Sequence, residues 1–293
     1  MTSHNDRSVI RYGIAELYGQ IFAELTAEEI RELAKSPFKS QPCPFRGGPC
    51  NKKGGVCSLR LYEKSGDFGI PFSDEVVTMC PNRFLENGIV FSWIGKELLS
   101  IDTPIVLREL PFLVSKEGAK EKAVGKIDMV LVDTRKDHLS WCALEMQAVY
   151  FSGKGMASDF RVMKNWRDEG IPFPQEQRRP DFRSSGPKRL MPQLQVKVPT
   201  IARWGRKTAV VVDLPFWNAL GSMDEVDSVS NCDIAWFVVD YQHEMHKKKF
   251  NLAPHSLHLT TLDRAVEGLT GGVPTSLEAF EKNLRTRLSA IRQ

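Results

Sequence analysis

The chain lacks several features that would place it quickly. No run approaches the roughly 18 uninterrupted apolar residues of a membrane-spanning helix. The opening MTSHNDRSVIRYG has no basic-then-apolar leader pattern. There is no internal repeat and no long low-complexity tract, which excludes a solenoid or a disordered tail protein. Cysteine is scarce, at six residues, and none of it forms the C-x-x-C pairs of ordinary zinc fingers. Acid is nearly missing from residues 178–207, where Asp181 stands against nine Lys and Arg. These absences point to a cytoplasmic globular protein. In a reducing compartment the cysteines are not expected to form disulfides.

What is present describes an ordinary core. At 293 residues with 42% hydrophobic content, the chain can bury a sizeable interior without covalent staples. The net charge is only +4, but residues 178–207 carry +8 and the remainder therefore sums to about −4. Such asymmetry points to a polyanionic partner more than the overall charge does.

Periodicity sets the expected elements. Residues 8–36 read as helical, with Thr26 and Glu29 at capping-box spacing and a stop before Pro37. Residues 37–82, rich in Pro, Gly and Cys with no apolar period, read as a loop-built module. Helical spacing returns over 83–100. Strands are expected in PIVLRELPFLVS, GKIDMVLVD and LSWCALEMQAVYF, then a helix over 155–168. The basic segment, with Pro180, Pro187, Pro192 and Pro199, reads as largely irregular. KTAVVVDLPF and CDIAWFVVDYQ read as fully buried strands. A last helix over 276–291 carries Leu277, Phe280, Leu284, Leu288 and Ile291 as one stripe. The sum is an α/β or α+β core, strand-centred, with a cysteine-rich insert near its front.

The chemistry lies in the strands. Asp128 interrupts GKIDMVLVD, and Glu145 and Gln147 interrupt the next apolar run. Acids there are costly unless paired or bound to a cation. Glu145 and Gln147 are two apart and share a strand face. With a hairpin turn centred between Lys136 and Asp137, positions whose numbers total 273 oppose each other, and Asp128 then faces Glu145. Opposed side chains lie roughly 4.5–5.5 Å apart at Cβ, where like charges repel and a divalent cation turns repulsion into chelation. Mg²⁺ suits that donor set, with Gln147 orienting a water. The plainer alternative is two solvated acids on an edge hairpin. Asp133 falls on the opposite face, while Glu97 or, less favourably, Glu109 offers a third carboxylate.

Cys43, Cys50, Cys57 and Cys80 cluster in a Gly-rich stretch and suit a tetrahedral structural site for zinc or a single iron, with no open position for catalysis. Cys142 and Cys232 sit in apolar strands and read as inert core thiols. The basic segment interleaves cations with Phe182 and Trp204. Its Arg183, Lys188, Arg189, Lys197, Arg203 and Arg206 are candidate DNA-binding residues. His243 and His246 form an H-x-x-H with no evident third ligand.

Together these features resemble the NotI family of type II restriction endonucleases. The resemblance rests on the four-cysteine cluster ahead of the core, the GKID strand, the LEMQ strand and RWGRKTAVVVDLPF after a basic loop, and spans roughly residues 40–245. It implies a PD-(D/E)xK restriction-endonuclease-like core, a mixed central sheet flanked by helices, in which Gln147 replaces the usual lysine. It further implies Mg²⁺ ligands at Asp128 and Glu145, a structural iron on the four cysteines, and a homodimer on palindromic, GC-rich double-stranded DNA. A separate cognate DNA methyltransferase and 5′-phosphate ends follow from the same resemblance. The expected organisation is an N-terminal helical segment (1–36), a four-cysteine module (37–82) and a nuclease core (83–293) with DNA-contacting segment 178–207. Non-catalytic DNA binding, or a repair or homing nuclease of the same fold, are the alternatives.

Overall fold

The computed structural model describes residues 9–117, 120–135, 139–244, 248–271 and 275–291. It opens on a strand, β1 (Ile10–Leu17), where a helix is expected. The apolar residues of β1 are buried on both faces toward its end, so no two-residue alternation advertises it. Gly13 allows the strand to pass its neighbours: a Cβ there would lie 2.5 Å from Pro174 and 2.8 Å from Tyr62. Tyr18 and Gly19, both at positive φ, make the two-residue turn into β2 (Gln20–Ile21). Helix α1 (Ala27–Lys35) follows with the expected Thr26–Glu29 capping box and ends at Ser36.

Residues 37–82 are loop-built only in their first part. From Val56 the chain forms β3 (Val56–Ser65), β4 (Phe68–Pro71) and β5 (Val77–Thr78). β1 and β3 pair antiparallel, giving a five-stranded sheet in the order β2-β1-β3-β4 with β5 on β3. Apolar residues from α1, β1, β3 and the later helix α3 (Ala157–Met163) fill its core.

The second sheet holds the candidate chemistry. A 3-10 stretch (Pro81–Gly88), α2 (Ile89–Ile94) and a π turn (Gly95–Leu99) lead into β6 (Ile105–Glu117), β7 (Lys120–Asp133) and β8 (Ser140–Met146). A small ribbon of β9 (Phe151–Gly153) and β10 (Arg178–Pro180) flanks α3. The basic segment is helical rather than irregular: α4 (Phe182–Ser185), a π turn (Gly186–Leu190) and α5 (Met191–Arg203). Pro192 falls in the first turn of α5, where no N–H is needed, and Pro199 is carried inside the helix by packing. Then come β11 (Thr208–Asp213), α6 (Leu214–Asn218), β12 (Ile234–Glu244), β13 (Lys249–Thr260), α7 (Leu262–Thr270) and α8 (Leu277–Ile291).

The six strands run in the order β13-β12-β11-β8-β7-β6. β6, β7 and β8 form an antiparallel meander, and β11 lies parallel to both β8 and β12. Alternation divides the core. Val211 faces Val90, Ile94 and Leu99 on one side, while Val210 and Val212 face Leu190, Leu194 and Val198 on the other. The two sheets are joined by Arg83, which is wholly buried. Its Nε lies 2.9 Å from Glu16 Oε2 of β1, and its Nη2 donates to the Phe250 carbonyl of β13 at 2.7 Å. The α8 stripe forms as expected but is exposed along its whole length. Among the described residues no helix is long and apolar enough to cross a membrane.

Candidate active site

The expected hairpin register is the one observed. Met129 pairs with Leu144, Val130 with Ala143, Leu131 with Cys142 and Asp133 with Ser140. Extending that register by one pair sets Asp128 across from Glu145, and the two carboxyls are close enough to share a hydrogen bond. The turn, including Lys136 and Asp137, lies outside the described residues. Asp128 is exposed, whereas Glu145 is buried at 3% exposure. Burial pushes the Glu145 carboxyl up to about 7. The Lys197 ammonium opposes that shift, and Asp128 adds to it.

Lys197 is where sequence and structure part. It was expected among the DNA contacts, but it is 8% exposed and its Nζ lies 2.5 Å from Glu145 Oε1 and 3.3 Å from Gln193 Oε1. α5 buries Leu194, Lys197, Val198 and Ile201, so the lysine stands in the stripe that faces the sheet. That stripe was the available signal: a lysine at a core position of a helix needs an acid beneath it. Four prolines in the segment concealed the helix and with it the signal.

Gln147 continues the face of Glu145. It is half-buried, its backbone N–H donates to the Val211 carbonyl, and its Nε2 donates to the Ala148 carbonyl at 2.5 Å. Beside it is a cleft of about 300 Å³ whose lining includes Gln147, Tyr150, Arg189 and Lys52. Lys52 belongs to the cysteine-rich loop, so that loop borders the same opening as the strand.

The third acid is not assembled. Glu97 is exposed on the π turn, which packs against β7 and β8. Glu109 of β6 is level with Asp128 in the β6–β7 register but is tied to Lys126 Nζ at 2.8 Å, which lowers its pKa. Asp133, on the other face as expected, is buried and paired with Arg135 Nε at 3.0 Å. Among the described residues no three His, Cys, Asp or Glu side chains form a ready-made metal group.

That statement covers the cysteines too. Cys43, Cys50, Cys57 and Cys80 are all buried and free. They lie near enough to act on one another electrically. Burial raises the Cys80 thiol pKa, with Cys43 and Cys50 adding to the rise, and burial raises Cys57 with Glu16 and Cys80 adding. Hairpin contacts bring the loop together, Cys43 N donating to Gly48 O and Cys50 N to Gln41 O, each at 2.8 Å. Cys142 and Cys232 are buried core thiols as expected, and burial takes Cys142 up to about 12.

The remaining basic candidates face outward. Arg183, Lys188, Arg189 and Arg203 are exposed, with Arg189 stacked over the Tyr150 ring at 4.5 Å. Arg206 is half-buried and donates to the Leu139 carbonyl at 2.6 Å. His243 lies 2.5 Å from Glu24 Oε1, and His246 is outside the described residues.

A family model described as restriction endonuclease NotI matches residues 27–252, and no curated protein matches the chain. The matched span takes in the four cysteines, both carboxylates, Gln147, Lys197, five strands of the second sheet and the start of β13. The chain therefore belongs to the NotI family of restriction endonucleases, type II site-specific deoxyribonucleases that act on DNA.

Proposed function

We propose that this chain cuts both strands of duplex DNA at a palindromic, GC-rich site with Mg²⁺ held by Asp128 and Glu145, leaving 5′ phosphates. The observation that carries the reading is the β7–β8 register, which sets an exposed carboxylate across from a buried one. Two carboxylates with room for water and phosphate oxygens suit Mg²⁺ better than an all-protein cage would. When bound, the ion acidifies water and offsets charge on the phosphate. The chain's own contribution is placement. Glu145 is fixed by its strand and by Lys197, Gln147 stands one step along the same face to orient the attacking water, and Arg189 and Lys52 border the adjoining cleft where a phosphate would lie.

The order α2, β6-β7-β8 meander, α5, then β11 parallel to β8 supports a PD-(D/E)xK core for this reading. Four buried thiols in one loop-and-strand region fit a soft structural ion, iron or zinc, on donor chemistry. A palindromic target favours a homodimer, and the exposed apolar stripe of α8 supplies an unpaired face for one. A methyltransferase protecting the host site would be a separate protein.

The test is digestion of GC-rich plasmid and phage DNA with Mg²⁺, with Glu145→Ala and Asp128→Ala in parallel. Discrete fragments from the wild type and none from either variant are expected. Salt-sensitive DNA binding without cutting by any of the three would replace the nuclease reading with a binding one.

A further inference from the structure

Lys197 does not behave as a DNA-contacting cation. It reaches the sheet from α5, and Leu194, Val198 and Ile201 of the same helix are fully packed around it. Ile201 joins Val130, Val132 and Ala143, the residues that flank Asp128 and Glu145 on their own face of the sheet. An ammonium buried there costs several kcal/mol unless it is paired with good geometry, and an apolar side chain would fill the slot at lower cost. The lysine is nevertheless present, 2.5 Å from one carboxylate oxygen and 3.3 Å from Gln193 one turn earlier. The strand position two residues after Glu145, meanwhile, carries the uncharged Gln147.

We infer that Lys197 is a positioning residue of the catalytic site: its ammonium grips Glu145 Oε1, supplying from a helix the cation that the Gln147 strand position lacks. The inference rests on the nuclease reading above. With Oε1 engaged, Oε2 is the oxygen left to an ion shared with Asp128. The grip also sets the rotamer of a carboxylate that, among the described residues, has Lys197 and Asp128 as its side-chain partners. α5 thereby acts twice: its exposed flank and the turn before it present cations outward, while its buried face orders the active site.

The test compares Lys197→Gln, Lys197→Arg and Lys197→Met with Arg189→Ala and Glu145→Ala. Each is measured for cleavage at saturating DNA, for DNA affinity without metal, and for Mn²⁺ affinity by electron paramagnetic resonance. Loss of a group that orders a metal ligand typically costs about 10–100-fold in metal affinity or activity. Lys197→Gln is expected to lose about that much in both cleavage rate and Mn²⁺ affinity, with DNA affinity unchanged. Lys197→Arg recovers part of the loss. Arg189→Ala shows the reverse pattern, weaker DNA binding with Mn²⁺ affinity retained. Lys197→Met keeps the volume of the stem and gives the same answer as Lys197→Gln if the glutamine variant does not fold. Wild-type Mn²⁺ affinity and rate in either charge-free variant would overturn the inference, as would a loss confined to DNA affinity. Cleavage by Glu145→Ala, in contrast, would overturn the assignment of Glu145 to the site, and no cleavage by the wild type would overturn the nuclease reading itself; the Mn²⁺ titration separates these failures from that of the Lys197 inference.

Discussion

Glu145 is one of the few acids in the chain whose proton is governed by burial rather than by solvent. Its carboxyl ionises at about 7 instead of 4.5, because desolvation outweighs the attraction of Lys197. Between those two values the native state holds a proton that the unfolded chain has already released. The contribution of this group to stability is therefore present below about 4.5 and falls as pH rises toward 7 in the metal-free protein. A metal needs the ionised form, so binding below pH 7 must expel that proton. The expected outcome is an apparent Mg²⁺ affinity that rises about tenfold per pH unit up to about pH 7 and is flat above it. Cleavage rate at subsaturating Mg²⁺, followed from about pH 5.5 to about pH 8.5, reads this directly. A flat profile below pH 7 would mean that Glu145 is already ionised in the free enzyme and that Lys197 dominates its environment.

At the scale of elements, the basic segment divides its cations by orientation. Arg183, Lys188, Arg189 and Arg203 lie on the outer side of α4, the π turn and α5, whereas Lys197 lies on the inner side. Each phosphate contact releases counterions, so loss of one contact lowers the slope of log affinity against log salt by about 0.9. Single alanine variants of Arg183, Lys188 and Arg189 are expected to weaken DNA binding and shift that slope by about this amount, while Lys197→Gln leaves it unmoved. Fluorescence anisotropy over a salt series checks both statements. The same segment shows why some elements could be read from sequence and others could not. The β7–β8 register was legible because the short polar stretch between the two apolar runs sets the midpoint about which positions pair, and the pairs from Met129–Leu144 to Asp133–Ser140 follow that midpoint. The α8 stripe was legible as a helix, although its burial was not, since periodicity says nothing about what covers a face. β1 was illegible because it is buried on both faces, and α5 because Pro192 and Pro199 read as breakers while packing tolerates them. The Lys197–Glu145 pair was lost with α5, since residues 52 apart in the chain meet only once that helix is laid on the sheet.

At the scale of the whole molecule, the two larger sheets have to be held in one relation for the cysteine-rich loop to border the same cleft as Gln147. Two buried polar connections do this. Thr78 of β5 takes the Val149 N–H on its carbonyl at 2.8 Å and donates its own N–H to Asp213 Oδ2 at 2.5 Å, tying the first sheet to β11. Arg83 makes the stronger clasp, with Glu16 of β1, Glu86, the Phe250 carbonyl and the rings of Phe45 and Tyr241 around one guanidinium. Burial alone would lower the Arg83 pKa, but Glu16, Tyr241 and Glu86 together hold it above its ordinary value, so the group stays charged. Removing it would strand two carboxylates. Among the described residues, Glu16 would keep the Ser58 hydroxyl at 2.6 Å and Glu86 the Leu252 N–H at 2.6 Å. Breaking a buried pair from one side costs about 3–5 kcal/mol, because the partner charge is left without compensation. Arg83→Ala is therefore expected to lower the unfolding free energy by about that much in urea titration. Arg83→Met combined with Glu16→Gln is expected to recover part of the loss, because the pair is then removed from both sides and less charge remains buried. A change within about 1 kcal/mol for Arg83→Ala would show that the apolar contacts between the sheets suffice without the clasp. A loss no smaller in the double variant would show that Arg83 acts through its packing against Phe45 and Tyr241 rather than through its charge.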